Sequence, residues 1–408
     1  MTMNSKRRSV AIAGAASALA LSLAACGGGS AAGGDDKGPI KIGAVYPLTG
    51  PAAANGDWAK IGTEIAVKEI NANGGIDGRQ VKVVYGDDEL DATKAVTEMN
   101  RVVNQEKVDL VLGPLSSDPV LATLPLLKST KTPSIMGAGS EKVTPDIAPY
   151  SFSWTMNATT QAQEMVDAAV KDGAKSIAIL SDGGTQGKTA ADAMKADIKK
   201  RGLKLSGTQE LSIKNTDVTP QLLSLKKGNP DHVLLFPVAS SDTARVLEQV
   251  KQLNWDVPFT GSYGTTFADT VMEIAGDDAY ENMNAITFSS FSACTKEEVP
   301  ESTSSFVKTV RAFSEKRAKG ASFDSIAQSH DAVYLFKAAI EATGTTDGPK
   351  VAAWLEENGT NLPKDIPLVN QAFGMTKDTH FLFTSDSLSL VDPGTSVSDS
   401  VFQRADCS

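Results

Sequence analysis

Short apolar segments alternate with amphipathic segments along most of this chain, and no other feature constrains the fold as strongly. The apolar segments have the length of β-strands, as in Ile40–Tyr46, whereas residues 58–71 carry apolar side chains at helical spacing. A helix between successive strands favours a parallel sheet that is covered by helices on both faces. The sequence therefore predicts an α/β fold.

The alternation occurs in two series, which are separated at residues 150–157. About 370 residues follow residue 38, and this is more than one ordinary hydrophobic core accommodates. We therefore predict two Rossmann-like lobes with mainly parallel sheets. The predicted strands are 40–46, 81–85, 108–113 and 133–136 in the first series, and 176–181, 204–210, 232–237 and 258–261 in the second. Further along, the sequence predicts helices at 325–342 and 350–358 and β-rich structure at 371–391.

The first 25 residues have the composition of a secretory leader. A basic segment with Lys6, Arg7 and Arg8 precedes an apolar run at residues 10–25, and small residues stand directly before Cys26. This pattern resembles a bacterial lipoprotein signal, which implies cleavage before that cysteine, a lipid on its sulfur and acylation, as with palmitate, of the new N-terminus. The resemblance thus predicts an extracytoplasmic protein that is lipid-anchored to the bacterial cell membrane. The alternative is a transmembrane anchor, but the apolar run is shorter than the roughly 20 residues that span a bilayer.

Residues 26–38 are rich in Gly and Ser and predict a flexible tether. Cleavage of the leader would change the formal net charge from −10 to −13, because the leader carries three cationic side chains and no acidic ones. An acidic chain lacks the clustered cations that bind a phosphate backbone, so the sequence argues against a nucleic-acid partner.

A specific motif follows the first predicted helix. Residues 70–78 read INANGGIDG, residues 83–88 read VVYGDD, and residues 113–117 read GPLSS. Together with Pro47 and an IAG triplet at 274–276, they resemble the leucine/isoleucine/valine-binding family of ABC-transporter substrate-binding proteins, from residue 40 to about 392. The resemblance implies a type I periplasmic-binding fold, in which two lobes joined by a three-crossover hinge enclose a small molecule and deliver it to a permease.

The resemblance also implies how the chain divides between the lobes. The N-terminal lobe is predicted to contain residues 39–155 and about 289–370, and the C-terminal lobe residues 156–288 and about 371–395. Residues 396–408 are predicted to form a C-terminal tail.

Two predicted loops carry small polar residues at the carboxyl ends of strands. Ser116 and Ser117 follow one strand and precede a helix-start signature, and Ala138 and Ser140 follow the next strand. Helix N-termini at this edge of a sheet offer N–H groups to anions, which predicts a carboxylate-binding site. The alternative is that the serines only cap a helix. The resemblance assigns Ser117, Ala138 and Ser140 to the carboxylate-binding positions of the family.

The amino end of an amino-acid ligand would need a carboxylate or an aromatic face. Relatives that bind amino acids can carry an acidic side chain in the loop at 261–264, where this chain has Tyr263, and an aromatic residue is common where it has Gln186. The Tyr263 ring could face an ammonium group, or Asp182 or Asp242 could supply charge, unless these aspartates only cap helices.

A pocket lined by Trp58, Trp154 and Tyr263 would equally suit an aromatic acid or a small amide, although both tryptophans could instead pack in the core or hinge. The sequence has no nucleophile elbow and no phosphate-binding loop, so we expect neither an enzyme nor a cofactor. A ligand sensor on the same fold is a further alternative, but it would need an attached signalling domain.

Two cysteines remain after Cys26. Outside the cytoplasm, Cys294 and Cys407 could form a disulfide, and the alternative is two reduced buried thiols. We expect no metal site, because the acidic run at 87–91 lacks the spacing of an EF-hand and the three histidines are scattered. Asp91 is instead predicted to cap the following helix.

Overall fold

The computed structural model describes residues 38–212, 216–237 and 239–407. The predicted leader at 1–25, the lipidation site Cys26 and the tether up to residue 37 lie outside the described residues. Among the residues that are described, no helix combines the length and the apolar character that a membrane crossing requires.

Strands and helices alternate through most of the described chain. The strands are β1 (Ile40–Tyr46), β2 (Val81–Asp87), β3 (Leu110–Leu112), β4 (Ser134–Met136), β5 (Ser151–Ser153), β6 (Ser176–Asp182), β7 (Lys204–Leu211), β8 (His232–Phe236), β9 (Phe259–Gly261), β10 (Met283–Phe288), β11 (Ser292–Ala293), β12 (Leu388–Ser398) and β13 (Val401–Arg404). The α-helices are α1 (Ala53–Ala72), α2 (Ala92–Asn100), α3 (Ser117–Thr130), α4 (Ala158–Lys171), α5 (Thr185–Lys200), α6 (Thr219–Lys227), α7 (Ser240–Gln252), α8 (Ala268–Ala275), α9 (Glu301–Phe313), α10 (Glu315–Ala318), α11 (Phe323–Thr343) and α12 (Gly348–Asn358).

The strands form two sheets. One sheet has five parallel strands in the order β2-β1-β3-β4-β5. The other has eight strands in the order β11-β13-β12-β10-β9-β8-β6-β7, and its strands from β10 to β7 run parallel. Both parallel sets follow the order 2-1-3-4-5 of a doubly wound sheet. The predicted α/β fold with mainly parallel sheets is confirmed.

Helix α11 covers the five-stranded side of the molecule. It crosses α1 so closely that a Cβ added to Gly62 would lie 2.0 Å from the Ile326 carbonyl oxygen. Glu69 of α1 bonds to His330 (3.3 Å) and to the Tyr334 hydroxyl (3.0 Å) of α11. The helix also contacts α12 and α9 and is buried along most of its length, as expected for a helix enclosed by other elements.

The molecule has two sides, which are the five-stranded sheet and the eight-stranded sheet, each with the helices that pack on it. The chain passes between these two sides three times. It leaves the five-stranded sheet after β5, returns after β10 and β11 to form α9 to α12, and joins the eight-stranded sheet again with β12. Before β12, residues 371–387 form isolated bridges and a short 3-10 helix (Ser385–Ser387) instead of the β-rich structure predicted there. Their backbone pairs with β5 instead, through the Leu382 N–H and the Ser153 oxygen (2.8 Å).

The C-terminal residues also belong to the eight-stranded sheet. Residues 396–408, which the sequence assigned to a tail, include the end of β12 and all of β13. Cys407 forms a disulfide with Cys294, with their Cα atoms 5.4 Å apart. The covalent bond therefore links the end of the described chain to the residue that follows β11.

Candidate ligand-binding site

The strand order locates the crevice in each sheet. In a 2-1-3-4-5 sheet, the connections run in opposite directions from the first and third strands, which leaves a crevice beyond their carboxyl ends. That crevice lies after β1 and β3 on the five-stranded side and after β6 and β8 on the eight-stranded side. The residues predicted to bind a ligand follow several of these strands and their neighbours β4 and β9.

Ser117 and Ser140 meet at the start of α3. The Ser140 N–H donates to the Ser117 hydroxyl oxygen (3.2 Å), and both side chains are buried. Ser116 occupies the N-cap position, but its side chain makes no capping bond. Since each hydroxyl of Ser117 and Ser140 accepts a backbone N–H, its own O–H stays available for an external acceptor. The start of α3 adds unpaired N–H groups and a positive dipole end.

Ala138 lies in the same loop, and hydrogen bonds to the Ser153 side chain fix its backbone. Its N–H donates to the Ser153 hydroxyl oxygen (3.2 Å), and that hydroxyl donates to its carbonyl oxygen (2.7 Å). A Cβ on Gly137 would lie 3.1 Å from Nε1 of Trp154, so the buried indole supports this small-residue loop. The structure thus brings Ser116, Ser117, Ala138 and Ser140 into one loop cluster.

The eight-stranded side touches this cluster through the start of α5. Thr185 donates its hydroxyl to the carboxylate of Asp118, and its N–H lies 3.4 Å from the same carboxylate. The amide of Gln186 packs on Gly139, where a Cβ would lie 2.4 Å from Nε2. The N-termini of α3 and α5 therefore face each other across the crevice.

Aromatic side chains form a second contact between the two sides. Trp58 of α1 packs on Phe267, which follows β9, with ring centroids 5.0 Å apart. Both rings are buried. Trp58 therefore packs against other side chains, as the alternative to a pocket-lining role predicted. This packing lies at the junction of the two sides.

Tyr263 lies partly buried at the same junction. Its N–H donates to the Gln161 side chain (3.4 Å), and its ring lies 6.0 Å from that of Phe288. Burial raises the pKa of Tyr263 to about 12, with a contribution from the negative charge of Asp324, although a hydrogen bond to the Thr155 side chain opposes the rise. The phenol is therefore neutral near pH 7 and can donate its proton or present its ring.

Two aspartates lie beyond the core of the eight-stranded sheet: Asp182 is the last residue of β6, and Asp242 lies in the first turn of α7, after β8. Asp182 is buried, and its Oδ1 accepts the Gly184 N–H (2.7 Å). Burial raises the pKa of Asp182 to about 6, and the charges of Asp242 and Asp118 add to the rise. Asp242 accepts the Ala239 N–H (3.3 Å) at the start of α7, so it caps that helix as the alternative predicted.

The acidic side chains before α2 accept hydrogen bonds from backbone N–H groups. Asp91 accepts the N–H groups of Thr93 (2.9 Å) and Lys94 (3.0 Å), which confirms the predicted cap. Among the described residues, three potential metal ligands come together at Cys294, Asp406 and Cys407, but both sulfurs are bonded in the disulfide.

Two α/β sheets of the same order, whose helix N-termini face each other across a crevice lined by hydroxyls and aromatic rings, define a two-sided small-molecule binding protein. The family described as "Periplasmic binding protein" matches residues 39–386. The chain belongs to this family, in its branched-chain amino acid group with the type I fold.

Relatives and solved structures agree with this assignment. The chain is 28% identical to the leucine-, isoleucine-, valine-, threonine- and alanine-binding protein of Pseudomonas aeruginosa, over 79% of this chain and 84% of that protein. It is 27% identical to a Leu/Ile/Val-binding protein homolog of Brucella abortus, over 68% of this chain and 71% of the relative.

Two similar structures hold different ligands. A branched-chain amino acid transporter substrate-binding protein from Streptococcus pneumoniae, solved with isoleucine, matches with a TM-score of 0.73 and 22% identity, over 88% of this chain and 97% of that one. A solute-binding protein from Rhodopseudomonas palustris, solved with 4-hydroxybenzoate, matches with a TM-score of 0.76 and 18% identity, over 89% and 95%. At this identity the likeness concerns the fold.

Proposed function

We propose that this protein is the extracytoplasmic substrate-binding lipoprotein of an ABC uptake transporter. In this proposal, lipid on Cys26 anchors it to the membrane, and residues 26–38 tether the folded part. The two sides of the molecule act as lobes that close on an amino acid or related carboxylate and deliver it to a permease. The relatives are solute-binding proteins, and we propose the same non-catalytic role here.

The observation that carries the proposal is the paired hydroxyl groups of Ser117 and Ser140 at the start of α3. A carboxylate placed there would accept both O–H groups and the unpaired N–H groups of the first helical turn. Such a site favours an anionic group over a neutral one.

Closure would follow from the contacts across the crevice. Thr185 and Gln186 reach Asp118 and Gly139 from the opposite side. A ligand that binds more tightly when these contacts are formed shifts the equilibrium toward the closed form.

An aromatic acid is the second candidate ligand. The junction contains the rings of Trp58, Phe267 and Tyr263, and the neutral phenol takes the position where amino-acid-binding relatives can carry an acid. A protein of similar fold was solved with 4-hydroxybenzoate.

Isothermal titration of the compact part, residues 38–408, tests the proposal. The panel contains leucine, isoleucine, valine, other amino acids, 4-hydroxybenzoate and small amides. We expect a carboxylate to bind and Ser117→Ala to weaken it about tenfold, because a charge-assisted hydrogen bond is lost.

The matched control is Ser129→Ala, which removes an exposed hydroxyl near the other end of α3. This variant should bind like the parent protein. Binding of no carboxylate, or equal affinities for the two serine variants, would contradict the proposal.

A further inference from the structure

Two carboxylates from opposite sides of the molecule flank one glycine in the crevice. Gly184 is the residue before α5, and a Cβ there would lie 2.8 Å from Oδ1 of Asp182, the last residue of β6. The same Cβ would lie 3.3 Å from Oδ2 of Asp118, in the first turn of α3. Asp182 belongs to the eight-stranded side and Asp118 to the five-stranded side. Contact between the sides therefore brings two negative charges close together.

Hydrogen bonds from α5 hold Asp118 beside this glycine. The Thr185 hydroxyl donates to the Asp118 carboxylate, and the Thr185 N–H lies 3.4 Å from it. Both donors belong to the residue that directly follows Gly184. The bond that joins the two sides thus also fixes the approach of Asp118 to Asp182.

The negative charge of Asp182 is poorly stabilised by its surroundings. The side chain is 4% exposed, and its Oδ1 accepts the Gly184 N–H (2.7 Å). Its Oδ2 has no hydrogen-bond partner among the described residues. The first turn of α5 covers that oxygen, since a Cβ on Gly187 would lie 2.1 Å from it. Burial with an unpaired oxygen disfavours the charged form of a carboxyl group.

The charged groups around Asp182 come from both sides of the molecule. Those of the eight-stranded side keep their places when the sides separate, whereas a group of the five-stranded side moves away. The groups are Asp242 of α7, Lys188 of α5, Glu210 of β7, whose carboxylate borders the adjacent Gly183, and Asp118 of α3. Of these groups, Asp118 is the one that belongs to the five-stranded side.

The repulsion between these carboxylates affects proton binding by Asp182. Burial raises the pKa of Asp182 to about 6, and the negative charges of Asp242 and Asp118 add to the rise. The Gly184 N–H and the charge of Lys188 oppose it. Since the contribution of Asp118 requires contact between the sides, Asp182 binds its proton more tightly when the sides are together.

We propose that closure of the two sides is coupled to protonation of Asp182, so that the protein closes on its ligand more firmly in acidic surroundings. This inference rests on the proposed function, in which the two sides act as lobes. A form that binds a proton more tightly is favoured as pH falls. The closed form therefore gains stability as pH falls through about 6 and loses that gain as pH rises again.

Spin-label distances in the full protein test the coupling without a ligand. The labels are attached at S129C and K199C, two exposed positions on α3 and α5. Between about pH 8 and about pH 5.5, we expect the ratio of closed to open protein to rise about threefold, because a single pair of like charges near the surface interacts weakly. Asp182→Asn keeps the acceptor for Gly184 but carries no charge, so its ratio should be high at both pH values.

Isothermal titration with leucine and 4-hydroxybenzoate is the second measurement, because both carboxyl groups stay ionised over this pH range. The affinity for a compound that binds should rise about threefold as pH falls, and Asp182→Asn should remove this dependence. The matched control is Asp192→Asn, which removes an exposed charge from the same helix. The control should keep the pH dependence of the parent protein.

The outcomes separate this inference from the proposed function. If either compound binds with an affinity that pH leaves unchanged, or if Asp182→Asn keeps the dependence of the parent protein, the inference falls and the proposed function stands. If no carboxylate of the wider panel binds, the proposed function falls, and the label distances decide the inference. Distances that do not respond to pH then overturn it, and a response that Asp182→Asn abolishes supports it.

Discussion

Hydrogen bonds between distant residues build the polar end of the site. Ser117 and Ser140 are 23 positions apart in the chain, yet the N–H of one lies 3.2 Å from the hydroxyl of the other. The bond forms because β3 and β4 are parallel neighbours whose carboxyl ends reach the same edge. A pair of loops after adjacent parallel strands is therefore enough to assemble this end.

A second residue cluster makes stability depend on pH. His330 is buried between Asp331 (3.1 Å) and Glu69 (3.3 Å), and the Tyr334 hydroxyl bonds to the same glutamate. Burial alone would lower the pKa of His330, but its hydrogen bonds to Asp331 and Glu69 outweigh burial and raise that pKa above its usual value. The cluster therefore favours the protonated imidazole.

We expect the free energy of unfolding to fall as pH rises above about 6.5, the usual pKa of histidine. The stabilisation by charged His330 is complete below that pH and is lost as pH rises through the higher folded-state pKa. Glu69→Gln removes one charged partner and should flatten this dependence. Urea unfolding at several pH values measures it, with the exposed Glu357→Gln as control. A slope unchanged by Glu69→Gln would refute the assignment.

The sequence predicts some site residues and not others. Ser117, Ala138 and Ser140 could be selected because they follow predicted strands. Thr185 could not, because its role depends on the contact of α5 with α3. That contact has no counterpart in local spacing or composition.

Among the secondary-structure elements of the five-stranded side, helices α1 and α11 pack most closely on each other. Gly62 has backbone atoms of the facing helix where a Cβ would stand, at 2.0 Å from the Ile326 oxygen. Arg317 of α10 adds ion pairs to Asp57 (2.6 Å) and Glu64 (2.8 Å) of α1. Several segments that are distant in sequence thus depend on the position of α1.

Gly62→Ala should lower the free energy of unfolding by about 1–3 kcal/mol, because the added methyl group must push the helices apart. The matched control is Gly38→Ala, where a Cβ meets no atom within 4 Å. Equilibrium denaturation compares the two variants. If both unfold at the same denaturant concentration, the helix crossing is looser than described.

Local patterns predict the elements unevenly. The alternation of strands and helices is visible because buried parallel strands such as β3 are apolar throughout. Helix α9 was not predicted, although Phe306, Val307 and Val310 have helical spacing and are buried. Residues 371–387 were misread as β-rich because their apolar residues pack irregularly against β5 and other core residues, and sequence spacing does not distinguish this from a strand.

At the scale of the whole molecule, the bond between Thr185 and Asp118 is one of the contacts that join the two sides. We expect Thr185→Val to lower ligand affinity about threefold to tenfold, since the variant keeps the shape but loses a hydrogen bond that forms only when the sides meet. Thr189→Val, one turn further along α5, removes a hydroxyl that bonds within the helix and should leave affinity unchanged. Titration calorimetry compares the two variants, and equal affinities would exclude a role in closure.

The disulfide between Cys294 and Cys407 stabilises the molecule by closing a long segment of chain. The two residues are 113 positions apart, and the segment between them includes α9 to α12. We expect replacement of both cysteines by serine to cost about 2–4 kcal/mol, because the unfolded chain gains conformational freedom. Thermal unfolding with and without reductant measures this effect. A melting temperature that reductant leaves unchanged would contradict it.

Three passages of the chain between the two sheets have a consequence for engineering. Neither side comes from one continuous stretch of gene, because the helices that cover α1 are encoded after the strands of the other sheet. A fragment that ends before α11 would lack the partner of α1. A chimera that exchanges one side with a relative would need three junctions, one in each passage, and a protease cut at any single passage would leave both sides covalently joined.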